Sequence, residues 1–385
     1  MVTTSMNAIV DVQSADYHND IYQRYAILRE QHPVYFDASR NIWMITRYDD
    51  VRHLLRHPEG TRNADTGHSY IPSLATTDGV LHNTIRKEII PEFSRGVVEQ
   101  LAPLVESILD ELFAELPSSG EIDLYSAVIL RLPQLFMTRF LGFPESKADH
   151  WYEIGEILMG IDPESNREAE PEVALQVLDD FAAMIEQVLE EKRRKPGDDH
   201  LSWLVGRETA GALTTEETLI FANCLGFAGV DTTINLLGNG TGLLARFPDQ
   251  RQKLIDKPSL LDGAIEEMFR LEPPVQGLPR RLTDDLELHG TVIPSGSEIS
   301  LVFAAANHDP SHYSNPETFD IERANKDHLA LGFGLHKCIG QHVARLEARA
   351  YFPRLLAHYP EYELVEARWR LSHWARGYAA LKISV

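Results

Sequence analysis

The stretch "HLALGFGLHKCIG", residues 328–340, constrains this chain more than any other. It puts three glycines, two histidines and one of only two cysteines into thirteen positions. That glycine density argues against a regular helix, because glycine loses more backbone freedom on folding than any other residue. The following segment, "QHVARLEARAYFPRLLAHY", does read as a helix. A fold for this chain must therefore present Cys338 on a tight loop just ahead of a helix start, with Gly332, Gly334 and Gly340 permitting positive φ or close backbone approach. Amides at a helix start and nearby positive charge favour the thiolate, the form of cysteine that ligates soft metals.

The residue types alone leave three readings of Cys338. It is a thiolate ligand, a buried structural cysteine, which is the usual fate of an unpaired one, or part of a zinc site with His336 and His342. The zinc reading lacks a CxxC or a distant cysteine pair to complete it. Cys224 and Cys338 make no disulfide framework, which agrees with a reducing compartment.

With 385 residues, 43% of them hydrophobic, the chain can bury a large core. No linker, low-complexity tract or repeat divides it, so one folded unit over 1–385 is expected. Its first residues, "MVTTSMNAIVDVQSADYHND", show neither a signal peptide nor an apolar anchor, which predicts a cytoplasmic protein off the membrane. A formal net charge of -22 opposes nucleic-acid binding.

"HPVYFDASRNIWMITRY" reads as a hairpin around "DASRN", residues 95 to 270 as mostly helical, and "DLELHGTVIPSGSEISLVFAA" and the C-terminus as strands. The expected class is mainly α with small β-sheets. Within "TTEETLIFANCLGFAGVDTTINLLGNGTGLLARF", Thr214 and Glu217 form a capping-box pattern ahead of a long apolar helix. Its middle, "AGVDTT", is unusual. Gly229 and two threonines suit close packing or a locally opened helix, and threonine hydroxyls can bond carbonyls four residues back. Asp231 favours the opened helix, since a carboxylate inside an apolar helix needs a reason.

"GFGLHKCIG" followed by "ARLEAR" resembles the haem-binding loop and following helix of the cytochrome P-450 family, whose pattern is Phe-x-x-Gly-x-His/Arg-x-Cys-x-Gly. The resemblance extends from the first hairpin to "ARGYAALKI", and this agreement of separate segments displaces the zinc and structural-cysteine readings. It implies a triangular, helix-rich fold around one buried haem b, with Cys338 as the axial thiolate. His336 bonds a propionate on that reading, and Gly340 belongs to the same loop. His82 and Arg86, in "LHNTIRKEIIPEFS", match a His-x-x-x-Arg segment serving the propionates, and Arg280 fits a further propionate arginine, with Arg281 its rival. Strand alternation lets only one of those two point inward.

The resemblance further implies that Thr232 steadies reduced dioxygen, that Asp231 relays protons from solvent, and that Ala228 flanks the oxygen pocket. Glu267 and Arg270 match a Glu-x-x-Arg motif joined by Arg323, a structural network behind the cysteine loop. Substrate-pocket positions are Tyr70, Phe227, Ala228, Gln276, Leu278 and Trp374, mostly apolar or aromatic, which suits a small to medium apolar molecule such as an aromatic compound or terpenoid. Lys337, Arg345 and Arg349, with Lys87 and Arg95 as outlying members, imply docking of a ferredoxin or flavodoxin-type donor served by its reductase. One position departs from the family. Leu331 stands where phenylalanine is usual, so haem binding is expected to survive with an altered reduction potential.

Overall fold

The first hairpin forms because "VYFD" buries alternate residues, Tyr35 and Asp37, and "IWMI" buries Ile42, Met44 and Ile45, on either side of a turn that Asp37 holds, its carboxylate accepting from the Ser39 amide at 3.0 Å and the Arg40 Nε at 2.6 Å. Asn41 takes the left-handed φ of 53° that closes it. The computed structural model describes residues 9–56, 61–63, 74–75, 77–147, 154, 157, 161–162, 167–168 and 171–385. It divides into two compact units, each discontinuous in sequence.

The first unit comprises Met1–Thr66, Asn239–Cys338 and Arg368–Ala379. Its centre is a five-stranded sheet in the order Val34–Asp37, Ile42–Ile45, Glu298–Leu301, Leu278–Leu282, Thr61–Asn63. The third strand runs parallel to the second, pairing Ile299 with Trp43, and antiparallel to the fourth, pairing Ile299 with Arg280. Ile45, Leu282, Ile299 and Leu301 bury their side chains against Tyr48, Val51 and Leu54 of the helix Tyr48–Arg56. Each such side chain contributes roughly 1.5–3 kcal/mol of transfer free energy. A separate small hairpin, Leu286–Leu288 with Thr291–Ile293, turns through His289 and Gly290 at φ 51° and 76°, the "HG" signal of the sequence.

The second unit comprises Gly67–Gly238, Ile339–Ala367 and Ala380–Val385. It is a set of helices: Gly79–Ile89, Ala102–Ala114, Arg131–Leu141, Pro171–Arg194, His200–Thr209, Thr215–Ala228 and Gln341–His358. Ala102–Ala114 packs against both Arg131–Leu141 and Gln341–His358, and Arg354 of the last ties to Glu106 at 3.0 Å and to Asp110. Phe93 meets Phe221 and His200 edge-on, with centroids 5.9 and 5.3 Å away.

The capping box at Thr214 is present in both directions, Thr214 Oγ1 accepting from the Glu217 amide at 3.2 Å and Glu217 Oε2 from the Thr214 amide at 2.7 Å. The apolar run it opens is two helices rather than one, Thr215–Ala228 and Asp231–Arg246, broken at Gly229 and Val230. By length and composition Thr215–Arg246 could cross a membrane, yet 65% of its most apolar window is buried in protein, the setting of a core helix. Mainly α structure with small sheets is thus observed, as the sequence predicts.

Candidate functional site

In the first unit the cysteine loop is built on a relay of hydrogen bonds. The hydroxyls of Tyr48 and Tyr313 both donate to the Asp327 carbonyl, at 2.5 and 2.8 Å. Asn307 Oδ1 accepts from the Leu329 amide at 2.8 Å. The Gly332 amide then donates to the Leu329 carbonyl at 2.9 Å, and the Cys338 amide to the Leu331 carbonyl at 2.8 Å. Gly332 and Gly334 sit at φ 68° and 72°. Gly334 is needed twice over, because a Cβ there would also stand 2.6 Å from the Leu55 carbonyl oxygen.

Cys338 is exposed, so it is not a buried structural cysteine. Among the described residues no three His, Cys, Asp or Glu side chains converge on a metal-sized site. His336 is half-buried at the end of a 3-10 turn, Gly334–His336.

Behind this loop Glu267 accepts from Arg270 through both carboxylate oxygens, each at 2.8 Å, and from Arg323 Nε at 2.9 Å. The three side chains are buried. Arg270 spends its other donors on the carbonyls of Asn307, Pro316 and Thr318, and Arg323 on those of Ser314, Asn315 and Thr318. Asn307 therefore joins the ion-paired cluster to the Leu329 amide at the root of the loop. Sequence reading passed over Asn307; its only signal was an amide side chain inside the apolar segment "LVFAAANHD".

Arg280 and Arg281 divide as strand alternation requires. Arg280 is 4% exposed, whereas Arg281 turns to the neighbouring strand and pairs with Glu298 at 2.6 Å. Gln276 is buried, its amide donating to the Trp374 carbonyl at 2.7 Å, while Leu278 is exposed and Trp374 half-buried. The structure thus brings Gln276 and Trp374 together.

In the second unit His82 and Arg86 lie one turn apart on the helix Gly79–Ile89, His82 buried and Arg86 half-buried. At the break after Ala228, Thr232 Oγ1 donates to the Ala228 carbonyl at 2.9 Å and Thr233 Oγ1 to the Gly229 carbonyl at 3.4 Å. Asp231 is 1% exposed and its Oδ2 accepts from Asn235 Nδ2 at 3.0 Å. Asn235 is a further polar residue the sequence reading missed, although its spacing of four from Asp231 marks it. Gly229 does serve close packing, since a Cβ there would stand 2.7 Å from Met137 Sδ. Ala228 is exposed beside it. Gly340 caps the helix Gln341–His358, its carbonyl accepting from the Ala344 amide at 3.0 Å. Tyr70 and the side chain of Phe227 lie outside the described residues.

Of the cationic positions, Lys337 and Lys87 are exposed and Arg345 and Arg349 half-buried. Arg95 pairs with Glu99 at 2.7 Å.

A glycine-shaped loop thus presents an exposed cysteine and is backed by an ion-paired Glu-x-x-Arg cluster, in a helix-rich fold. Comparison with known proteins says what such a chain is similar to. The family model described as Cytochrome P450 matches residues 250–364. The chain is 32% identical over 404 residues to the vitamin D(3) 25-hydroxylase of Pseudonocardia autotrophica, covering 100% of this chain and 98% of that protein. It is 30% identical to the 6-deoxyerythronolide B hydroxylase of Saccharopolyspora erythraea, covering 97% and 98%. Among solved structures, CYP109E1 from Bacillus megaterium in complex with testosterone superposes with a TM-score of 0.90 at 28% identity, covering 97% of this chain and 99% of that one.

The chain belongs to the cytochrome P450 family and is an oxidoreductase. Membership implies a haem-iron cofactor and the use of O2. The residues of the first unit fit that group: an exposed thiol, a loop that two positive-φ glycines shape around it, and a buried arginine, Arg280, of the kind that anionic propionates call for.

Proposed function

We propose that this protein is a cytoplasmic monooxygenase that inserts one oxygen atom of O2 into a small to medium apolar substrate, by hydroxylation or O-dealkylation of an aromatic compound or terpenoid. When bound, one haem b per chain supplies the O2 activation, using two electrons delivered by separate redox proteins. Cys338 Sγ would ligate its iron, and His82, Arg86, Arg280 and His336 would hold its propionates.

The observation that carries this reading is the break at Ala228–Asp231. A buried carboxylate, Asp231, stands at the start of one helix beside a hydroxyl, Thr232 Oγ1, that satisfies a carbonyl the break would otherwise leave without its helical bond. Asp231 Oδ1 and Oδ2 take up protons from solvent, and Thr232 Oγ1 passes them to the reacting oxygen. A haem carrier has no use for that pair, and a peroxide-driven oxygenase does not need the same relay. The names of relatives that act on vitamin D(3) or bind testosterone support a substrate rich in C–H bonds, received by Phe227, Ala228, Gln276, Leu278, Trp374 and Tyr70.

Electrons enter from a ferredoxin or flavodoxin-type donor attracted by Lys337, Arg345 and Arg349. Reversal of Lys337 and Arg345 to Glu slows reduction at low salt, and unchanged kinetics there would remove these residues from docking. The experiment for the whole reading is the ferrous-carbonyl absorption spectrum, followed by titration of the same sample with aromatic and terpenoid compounds. A red-shifted Soret band and a low-to-high-spin change support it. A band at the position of histidine or thiol ligation would defeat it.

A further inference from the structure

A second buried carboxylate in the first unit, Glu272, lies at the head of a structure that the haem chemistry does not use. Its side chain is 2% exposed and accepts three bonds: from Tyr22 Oη at 2.8 Å, from Arg376 Nε at 2.6 Å and from Arg246 Nη2 at 2.8 Å. Arg376, 4% exposed, also donates to the His18 carbonyl at 2.9 Å, and its guanidinium lies 3.8 Å from the centre of the Trp369 ring.

Directly beside this pair two chain segments about a hundred residues apart are zipped together. The Arg376 amide donates to the Pro274 carbonyl at 2.9 Å and the Gln276 amide to the Trp374 carbonyl at 2.7 Å, with Val275 bridged to Ala375 between them. Asn239 Nδ2 spans both segments, donating to the carbonyls of Glu272 at 3.1 Å and Arg376 at 2.8 Å. Too short to be a stable sheet alone, this zipper depends on what holds its end.

A buried ion pair is weak evidence for stability, because desolvation offsets most of its attraction; register is its best-attested use. Here register decides where two side chains stand. Slipping the zipper by one residue would turn Trp374 and Gln276 to the opposite face.

We propose that Glu272 and Arg376 are positioning residues for substrate selectivity: their ion pair locks the segments Pro273–Gln276 and Trp374–Arg376 in one register and so fixes Gln276 and Trp374. The inference rests on the reading of those two residues as pocket-lining. It concerns which substrates fit, not the oxidation itself.

The test combines two measurements on the haem-loaded protein. Amide hydrogen exchange at Gln276 and Arg376 reads the zipper directly. The ratio of dissociation constants for 4-phenylimidazole and imidazole, each seen as a Soret shift, reads the shape of the pocket wall, because only the larger probe needs that wall. In Glu272→Gln both amides exchange at least tenfold faster while Ile299, in the central sheet, is unchanged, and the ratio shifts at least fivefold with imidazole affinity constant. Arg246→Met, which removes only the outer partner, shows a smaller change in the same direction and serves if Glu272→Gln does not fold.

Unchanged exchange at Gln276 and Arg376 would overturn the lock. Faster exchange with an unmoved ratio would overturn its role in selectivity. Trp374→Ala separates the two ways of failing: if it shifts the ratio and Glu272→Gln does not, the positioning inference alone is wrong, and if neither does, the pocket assignment of Trp374 falls with it.

Discussion

Glu267 and Glu347 are both buried carboxyls on helices, Leu261–Leu271 and Gln341–His358, and their surroundings are opposite. Glu267, in the first unit, accepts hydrogen bonds from two arginines that in turn reach five backbone carbonyls, sharing that of Thr318. Glu347, in the second, is 0% exposed, and neither of its oxygens has a hydrogen-bond partner among the described residues. The difference is one of spacing. Arg270 follows Glu267 by three and shares its helix face, whereas Arg345 and Arg349 flank Glu347 at two positions either way and lie off its face. Arg345 bonds the Gln341 carbonyl of its own helix, at 2.9 Å. One acid is held as a charged hub, and burial drives the other toward its neutral form, its pKa pushed well above the usual carboxylate range.

The largest effect expected from that contrast is on folding. Glu267→Gln leaves two buried guanidiniums short of their counter-charge and costs about 3–5 kcal/mol, read as a lower denaturant midpoint of the holoprotein, with Cys338 less readily ligated. Glu347→Gln, a neutral group for a neutral group in the fold, brings no such loss at neutral pH. Equal losses would mean that Glu347 is ionised and paired.

How much of this was legible in sequence follows the same line between local and distant signals. The hairpin at Asp37–Asn41, the "HG" turn, the Thr214 capping box and the carbonyl bonds of Thr232 and Thr233 are set within a few residues, and sequence reading found them. The parallel pairing of Ile299 with Trp43 and the tie of Glu272 to Arg376 join positions that no local rule connects, and neither was visible. The family resemblance supplied the cysteine loop and the Glu-x-x-Arg pattern. It was silent on Asn307, Asn235 and Glu272, whose roles come from tertiary contacts. Glu347 lay within the quoted "ARLEAR", but the adjacent arginines disguised a carboxyl that pairs with neither.

A third buried carboxylate sharpens the comparison: Asp231 Oδ2 accepts from the side-chain amide of Asn235, one turn on along its own helix. Asp231→Asn keeps an oxygen to accept from Asn235, so stability changes by less than about 1 kcal/mol. Turnover falls by about 10²-fold or more if the group moves protons, and Thr232→Ala releases hydrogen peroxide in place of product. Stability falling as far as turnover would make Asp231 a structural residue like Glu267.

A smaller effect is expected at Leu331, half-buried with its carbonyl committed to the Cys338 amide. Leu331→Phe adds an aromatic face without altering that backbone bond, so haem content is kept while the reduction potential moves. A potential identical to that of the parent would end the expectation that this departure tunes the thiolate.

The effect that separates the two acids most cleanly is the pH dependence of Glu347→Gln. A carboxyl whose folded pKa lies above its unfolded value of 4.5 binds more protons folded than unfolded once the pH passes 4.5, so it lowers stability as pH rises. Replacing it removes that slope. The variant therefore gains on the parent between about pH 5 and pH 8. Glu272 behaves in the opposite sense: its two arginines overcome the burial that would raise its pKa and bring it down to about 2, so its contribution is present above 4.5 and lost as pH falls toward 2. Buried His18 and half-buried His200, both lowered by desolvation to about 4, remove stability as pH falls from 6.5 toward 4 in parent and variant alike, and so cancel from the comparison. Denaturant midpoints measured across that range for both proteins give the test. Parallel curves would mean that Glu347 is as ionised in the fold as in the unfolded chain, and the contrast between a charged hub and a neutral buried acid would then be wrong.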